Sequence, residues 1–257
     1  MDAVAPNKPV AIKRWLPYWA VLQADVRQTL RSWVYLVWVL VSALVAAGYL
    51  MYRAGLAREA GIVQPASELI ERLLRWTVVG SITPIVALAV GSISAERGTM
   101  ADSVLSRGIS RYQYFLGKWH GQLVAVLGTF LLLGVGTLVG SLFLLHEDLS
   151  PAGSAVALLT ASALLAVVIT CGVTAGAMCN STLVGIAVLW VVLYGGGFAL
   201  ALVPSTFPSP ARALDRLLHV LRGYYDLRAL GQLAGWCALA CCLTALVGMA
   251  YFARRDI

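Results

Sequence analysis

Trp76-Thr77-Val78-Val79-Gly80-Ser81-Ile82-Thr83-Pro84-Ile85-Val86-Ala87-Leu88-Ala89-Val90-Gly91-Ser92-Ile93-Ser94-Ala95 runs directly into Glu96-Arg97-Gly98-Thr99-Met100-Ala101-Asp102-Ser103-Val104-Leu105-Ser106-Arg107-Gly108-Ile109-Ser110-Arg111. The first run carries no charged side chain and, coiled as a helix, is long enough to cross about 30 Å of hydrocarbon. The second is short, charged and compatible with helix, and it is followed by Tyr112-Gln113-Tyr114-Phe115-Leu116-Gly117-Lys118 and a further apolar run. A charged insert between two apolar runs belongs in water, so the chain crosses a membrane on either side of it.

The composition agrees. Of 257 residues, 60% are hydrophobic and 12% charged, with a mean hydropathy of +0.82; soluble domains carry about 25% charged residues. A soluble bundle of this size has too little interior to hide so much apolar surface. Working outward, six segments satisfy a requirement of roughly twenty mostly apolar residues: 32–52, 76–95, 121–145, 155–179, 183–202 and 230–252. Backbone groups in lipid must find partners within their own segment, which makes each span a helix. The predicted class is therefore an all-α integral membrane protein with six transmembrane helices. Arg53, Arg58, Glu59, Glu68, Glu71, Arg72 and Arg75 fill the first connection; His146, Glu147, Asp148 and Pro151 mark the third, Asn180 and Ser181 the fourth.

Before the first span, Trp15, Trp19, Leu22, Val26, Leu30 and Trp33 recur at steps of three and four, with Lys13, Arg14, Gln23, Asp25, Arg27 and Arg31 mostly elsewhere on the wheel. An aromatic-rich stripe beside a basic face suits a helix lying in the membrane interface. The alternative is the opening turns of a long spanning helix. Residues 1–31 are accordingly assigned to an N-terminal segment with an interface helix, and 32–257 to the six-span domain. Within the last connection, 203–229, the stretch 211–223 sets Leu214, Leu217, Leu218 and Leu221 against Arg212, Asp215, Arg216, His219 and Arg222. That is a short amphipathic helix, either dipping into the leaflet or lying on the surface.

With the N-terminus inside, eleven Lys and Arg residues fall on the inner side and eight on the outer. The acidic third connection, free of Lys and Arg, supports the same orientation. Both termini are then cytoplasmic, in an inner-membrane, multi-pass topology. The net charge of +7 is read as basic loops facing anionic lipid rather than as a nucleic-acid site. Cys171, Cys179, Cys237, Cys241 and Cys242 all lie in apolar runs, which implies no disulfide framework.

Motifs for chemistry in this chain are missing. No Gly-x-x-x-x-Gly-Lys-Ser/Thr loop occurs, so ATP is not bound by that mechanism. His120, His146 and His219 are far apart in sequence and form no ligand pattern, and no metal site is expected. No Asp, Glu, Lys or Arg occurs in 119–145 or 149–211, which counts against a proton-driven carrier. Small and polar residues remain: Ser81 and Thr83 in the second span, Thr160, Ser162, Thr170 and Thr174 in the fourth, and Gly195-Gly196-Gly197 in the fifth. They serve either helix packing or a substrate path.

The order of features resembles the type-2 ABC transporter permease family. The resemblance rests on the amphipathic N-terminal segment, six spans, the 96–118 loop with Gly98-Thr99 and the Ser110-Arg111 to Gly117-Lys118 spacing, the long connection before the last span, and Tyr251-Phe252-Ala253-Arg254-Arg255-Asp256-Ile257 at the end. The chain departs from the family pattern at Gly108, where a proline is usual, and in the spacing before Gly98-Thr99. The resemblance implies that 96–118 is a cytoplasmic coupling loop meeting a separate ABC ATPase, which would supply ATP and Mg; this chain would hold no cofactor. Glu96 and Arg97 would stand at the end of the second span. After Gly98, Thr99 to Ser106 would form a short helix with Asp102 near its start, Met100, Val104 and Leu105 would give its apolar contact, and Arg107 and Arg111 its charge. Further implied are a second permease copy, as a homodimer or with a related permease, and outward transport of cargo along a path near the second and fifth spans. Membrane lipids surround it, and the family leaves room for a periplasmic or extracellular accessory protein. A non-transporting membrane anchor or assembly subunit with the same fold is the alternative.

Overall fold

A computed structural model describes residues 15–59, 65–96, 109–144, 148–202 and 209–254. Nine helices occur among them: α1 (Leu16–Arg31), α2 (Trp33–Glu59), α3 (Ala66–Ser94), α4 (Arg111–Leu144), α5 (Pro151–Met178), α6 (Thr182–Leu202), α7 (Pro210–Asp215), α8 (Leu217–Leu221) and α9 (Leu227–Arg254). Six of these, α2 to α6 and α9, are long and apolar enough to cross a membrane. The chain is an all-α, multi-pass membrane protein.

Most helices outrun the apolar segments read from sequence. Arg53 to Glu59 continue α2, Glu68 to Arg75 open α3, and Arg111 to Lys118 form the first two turns of α4. Hydropathy marks only the part of a helix inside hydrocarbon, whereas the hydrogen-bonded spiral continues wherever its side chains reach water or a partner. The 96–118 loop is shortened by this correction, since only 109–110 of its second half are non-helical among the described residues. The amphipathic stretch 211–223 is two short helices, broken at Arg216, with Leu217, Val220 and Leu221 buried.

α3 and α5 form the centre. Ile85, Val86, Ala89 and Val90 of α3 and Ile169, Val173 and Ala177 of α5 have no exposed surface. Glycines set this approach. A β-carbon on Gly172 would lie 2.5 Å from the Ala89 β-carbon, and one on Gly176 would strike the Val90 carbonyl. Gly248 of α9 similarly admits Thr174 and Phe115. Threonines add bonds between helices: Thr170 accepts from Trp119 Nε1 at 3.0 Å, and Thr174 donates to the Thr244 carbonyl at 3.1 Å. Around this centre, α2, α6 and the outward face of α9 keep large apolar side chains exposed, including Val191 at 72% and Phe198 at 70%. In a membrane protein those surfaces face lipid or another apolar surface rather than water.

α3 is tied at both ends. At its start Asp148 accepts from the Ser67 backbone N–H at 2.8 Å and from its hydroxyl at 2.5 Å. The Arg222 guanidinium donates to the Ser67 hydroxyl at 2.9 Å and lies 3.4 Å from Glu68. Asp148 thus supplies the anionic cap that Pro65, at the N-cap, cannot. The opposite end of α3, roughly 43 Å away at 1.5 Å per residue, carries the cluster described next.

Candidate functional site

Glu96 follows the last turn of α3, and the chain returns at Ile109 to start α4. Between these points lie Arg97, Gly98, Thr99, Met100, Asp102, Val104, Leu105 and Arg107, all predicted coupling residues and all outside the described residues. What the structure describes is the base from which that loop departs.

That base is built on α1. Its buried face is Val21, Asp25 and Thr29, spaced four apart, while Trp15, Trp19 and Leu30 are exposed and Leu22 and Val26 half-buried. The sequence placed Asp25 on the solvated side of the wheel, and the structure overturns this. The apolar stripe faces outward, and a narrow semi-polar stripe packs on α4. Gly117 and Gly121 make room for it: a β-carbon on Gly117 would lie 2.7 Å from Val21 Cγ1, and one on Gly121 2.6 Å from Asp25 Oδ2. The Gly117-x-x-x-Gly121 spacing presents one smooth face of α4, into which α1 settles.

Lys118, between these glycines, extends into the junction and is 3% exposed. Its Nζ lies 3.0 Å from Asp25 Oδ1 and 2.5 Å from Glu96 Oε1. The Tyr114 hydroxyl donates to the other Glu96 oxygen at 2.7 Å. Gln122 Nε2 donates to Asp25 Oδ2 at 3.1 Å and to the Thr29 hydroxyl at 2.7 Å, while buried Gln122 Oε1 has no partner among the described residues. One ammonium therefore stands between two buried carboxylates, joining α1, the end of α3 and the start of α4. Burial pushes the Asp25 carboxyl above its usual range, opposed by the charge and hydrogen bond of Lys118 and the hydrogen bond of Gln122, and assisted by the Glu96 charge. A proton on Asp25 would bring this set of three to electrical neutrality.

α9 closes the remaining side. Phe252 stacks on Tyr114 with ring centroids 5.9 Å apart and leans on Phe115, and Arg111 donates to the Ala253 carbonyl at 3.1 Å. Beside α1, the Tyr18 hydroxyl meets His120 Nδ1 at 3.0 Å.

Two predicted coupling residues thus have internal partners. The Glu96 carboxylate is spent on Lys118 and Tyr114, and Arg111 engages the end of α9. Both serve to hold the loop's flanks. Asp25, Lys118, Tyr114 and Gln122 were missed as members. A four-residue step from Val21 to Thr29, opposite a Gly-x-x-x-Gly pair carrying a lysine, was the available signal. The stretches 119–145 and 149–211 carry no Asp, Glu, Lys or Arg, and the buried lysine lies immediately before the first of them, in the second turn of α4.

Of the path or packing candidates, Ser81 is a packing residue here: it is 1% exposed and accepts from Trp38 Nε1 at 2.8 Å. Thr83 is exposed. Gly195, Gly196 and Gly197 are exposed, and a β-carbon at any of them would meet nothing within 4 Å, so among the described residues they pack against no other helix. Among the described residues, no three of His, Cys, Asp and Glu gather as a metal site.

In comparisons with known proteins, no family model and no curated protein matches this chain.

Proposed function

We propose that the chain is the membrane subunit of an ATP-driven ABC transporter of the type-2 permease kind, working as an exporter. The observation that carries this reading is the buried Asp25–Lys118–Glu96 junction at the base of the 97–108 loop. A docking loop transmits force only if its roots are rigid. Here the roots are held by α1, α3, α4 and α9 together, so displacement of the loop would tilt these helices as a body. The surface carrying the loop would be cytoplasmic, with both termini on that side. A soluble ATPase would bind there through Met100, Val104 and Leu105, hydrolysing Mg-bound ATP. Two six-span units would form the path, and the exposed apolar face of α6, with its three glycines, is available for a second copy. The ionisable residues sit at the helix ends and not at mid-span, which favours partner-supplied energy over coupling to an ion gradient.

Purification of the tagged full-length chain from its native membrane in mild detergent tests this. The expected result is a stoichiometric soluble protein with a phosphate-binding loop, identified by mass. The double substitution Met100→Glu and Leu105→Glu should leave the chain in the membrane and abolish co-purification. Recovery of the chain alone, or with membrane proteins only, would reject the reading in favour of an anchor or assembly subunit.

A further inference from the structure

At the end of the bundle remote from Glu96, a cavity of about 450 Å³ opens between the α7–α8 pair, the turn after it, and the first turns of α9. Its volume falls in the range of roughly 300–1,000 Å³ typical of small-molecule sites. The lining changes character with depth. The floor is buried and mostly apolar: Thr160, Val220 and Leu233 are each less than a tenth exposed, and Thr160 already spends its hydroxyl on the Val156 carbonyl. Thr160 lies nine residues into α5, roughly 13 Å along its axis from the starting end. The rim is polar and cationic. Arg212, Arg216 and His219 line it from the α7–α8 pair, and Tyr224 and Asp226 from the turn that follows. Asp226 accepts from the Arg228 backbone N–H, and among the described residues the lining carries two arginines and one carboxylate. Tyrosine beside a cationic rim is the side-chain chemistry of the head-group layer, with the floor at acyl depth.

We infer that this cavity binds an anionic amphiphile, a bilayer glycerophospholipid with a net negative headgroup, its phosphate on Arg212 and Arg216 and its upper acyl chain on Leu230 and Leu233. The site needs no ATPase and stands apart from the transport reading.

The test is native mass spectrometry of the full-length protein in detergent, titrated with dioleoyl phosphatidylglycerol and, separately, phosphatidylcholine. Phosphatidylglycerol should be retained in preference. The double variant Arg212→Gln/Arg216→Gln should weaken its retention roughly 30-fold. Arg228→Gln, on an exposed arginine outside the cavity, should leave it unchanged. Ala229→Trp, which fills the cavity without altering charge, should weaken both lipids. Equal loss in the Arg228 variant would overturn the proposal, since any surface cation would then suffice. Undiminished binding in the Ala229 variant would overturn it as well, by placing the lipid outside the cavity. Displacement of the lipid by millimolar inorganic phosphate would assign the rim to a free anion and reject the amphiphile.

Discussion

Replacing Lys118 by Met would leave the Asp25 and Glu96 carboxylates facing each other with no cation between them. The three side chains are 4%, 2% and 9% exposed, so water cannot rescue the charges in place. Removing one partner from a buried ion pair costs about 3–5 kcal/mol, because an uncompensated charge remains. If that cost is relieved by α1 lifting off α4, the undocked population should grow about 150- to 4,000-fold, at about 1.4 kcal/mol per decade. Hydrogen–deuterium exchange across 16–31 reads this directly, since protection falls in proportion to local opening. The triple variant Asp25→Asn/Glu96→Gln/Lys118→Met removes every charge while keeping shape. Buried ion clusters exchanged for neutral groups are often neutral or stabilising, so α1 protection should recover to near wild type. If the single variant loses less than tenfold protection, or the triple variant is no better than the single one, the junction does not hold α1 by charge pairing and the argument is wrong.

The acidity of Asp25 gives a second handle. Its carboxyl is raised above the ordinary value near 3.8, so the docked helix binds a proton that the undocked helix has already lost. Docking is therefore strongest below the ordinary carboxylate value, weakens as pH rises through the window up to the raised one, and is constant above it. Asp25→Asn should flatten this dependence in exchange experiments, while keeping a balanced Glu96–Lys118 pair; an unchanged slope would assign the effect to another group. The glycines supply a steric test. Gly153→Ala would drive a β-carbon into the Val220 carbonyl, backbone that cannot yield, and should cost about 1–3 kcal/mol in thermal or denaturant unfolding. Gly195→Ala meets open space and should be neutral or stabilising by about 0.5–1 kcal/mol, through the better helix propensity of alanine. Equal effects at the two positions would contradict the packing described.

The sequence by itself determined the membrane class and the six spans, because crossing hydrocarbon demands a length and an absence of charge that are local properties of a segment. It also determined the amphipathic N-terminal helix, since a 3.6-residue period needs no knowledge of neighbours. The lengths of the helices were not legible: Glu68 to Arg75 look like a loop by charge, yet they coil because Asp148 and Arg222, distant in sequence, cap and pair them. The two short helices at 210–221 were visible as one amphipathic pattern, but their break at Arg216 was not. The site divides in the same way. The Glu96–Arg111 insert announced itself as a charged break between apolar runs. Its meaning depends on which charges are satisfied inside, and that belongs to tertiary structure. Asp25 carries the same charge as any solvated aspartate on the helical wheel, and Lys118 looks like a loop cation. Only the close approach of α1 to the Gly117–Gly121 face, permitted by two missing β-carbons, withdraws both from water and makes them partners of Glu96.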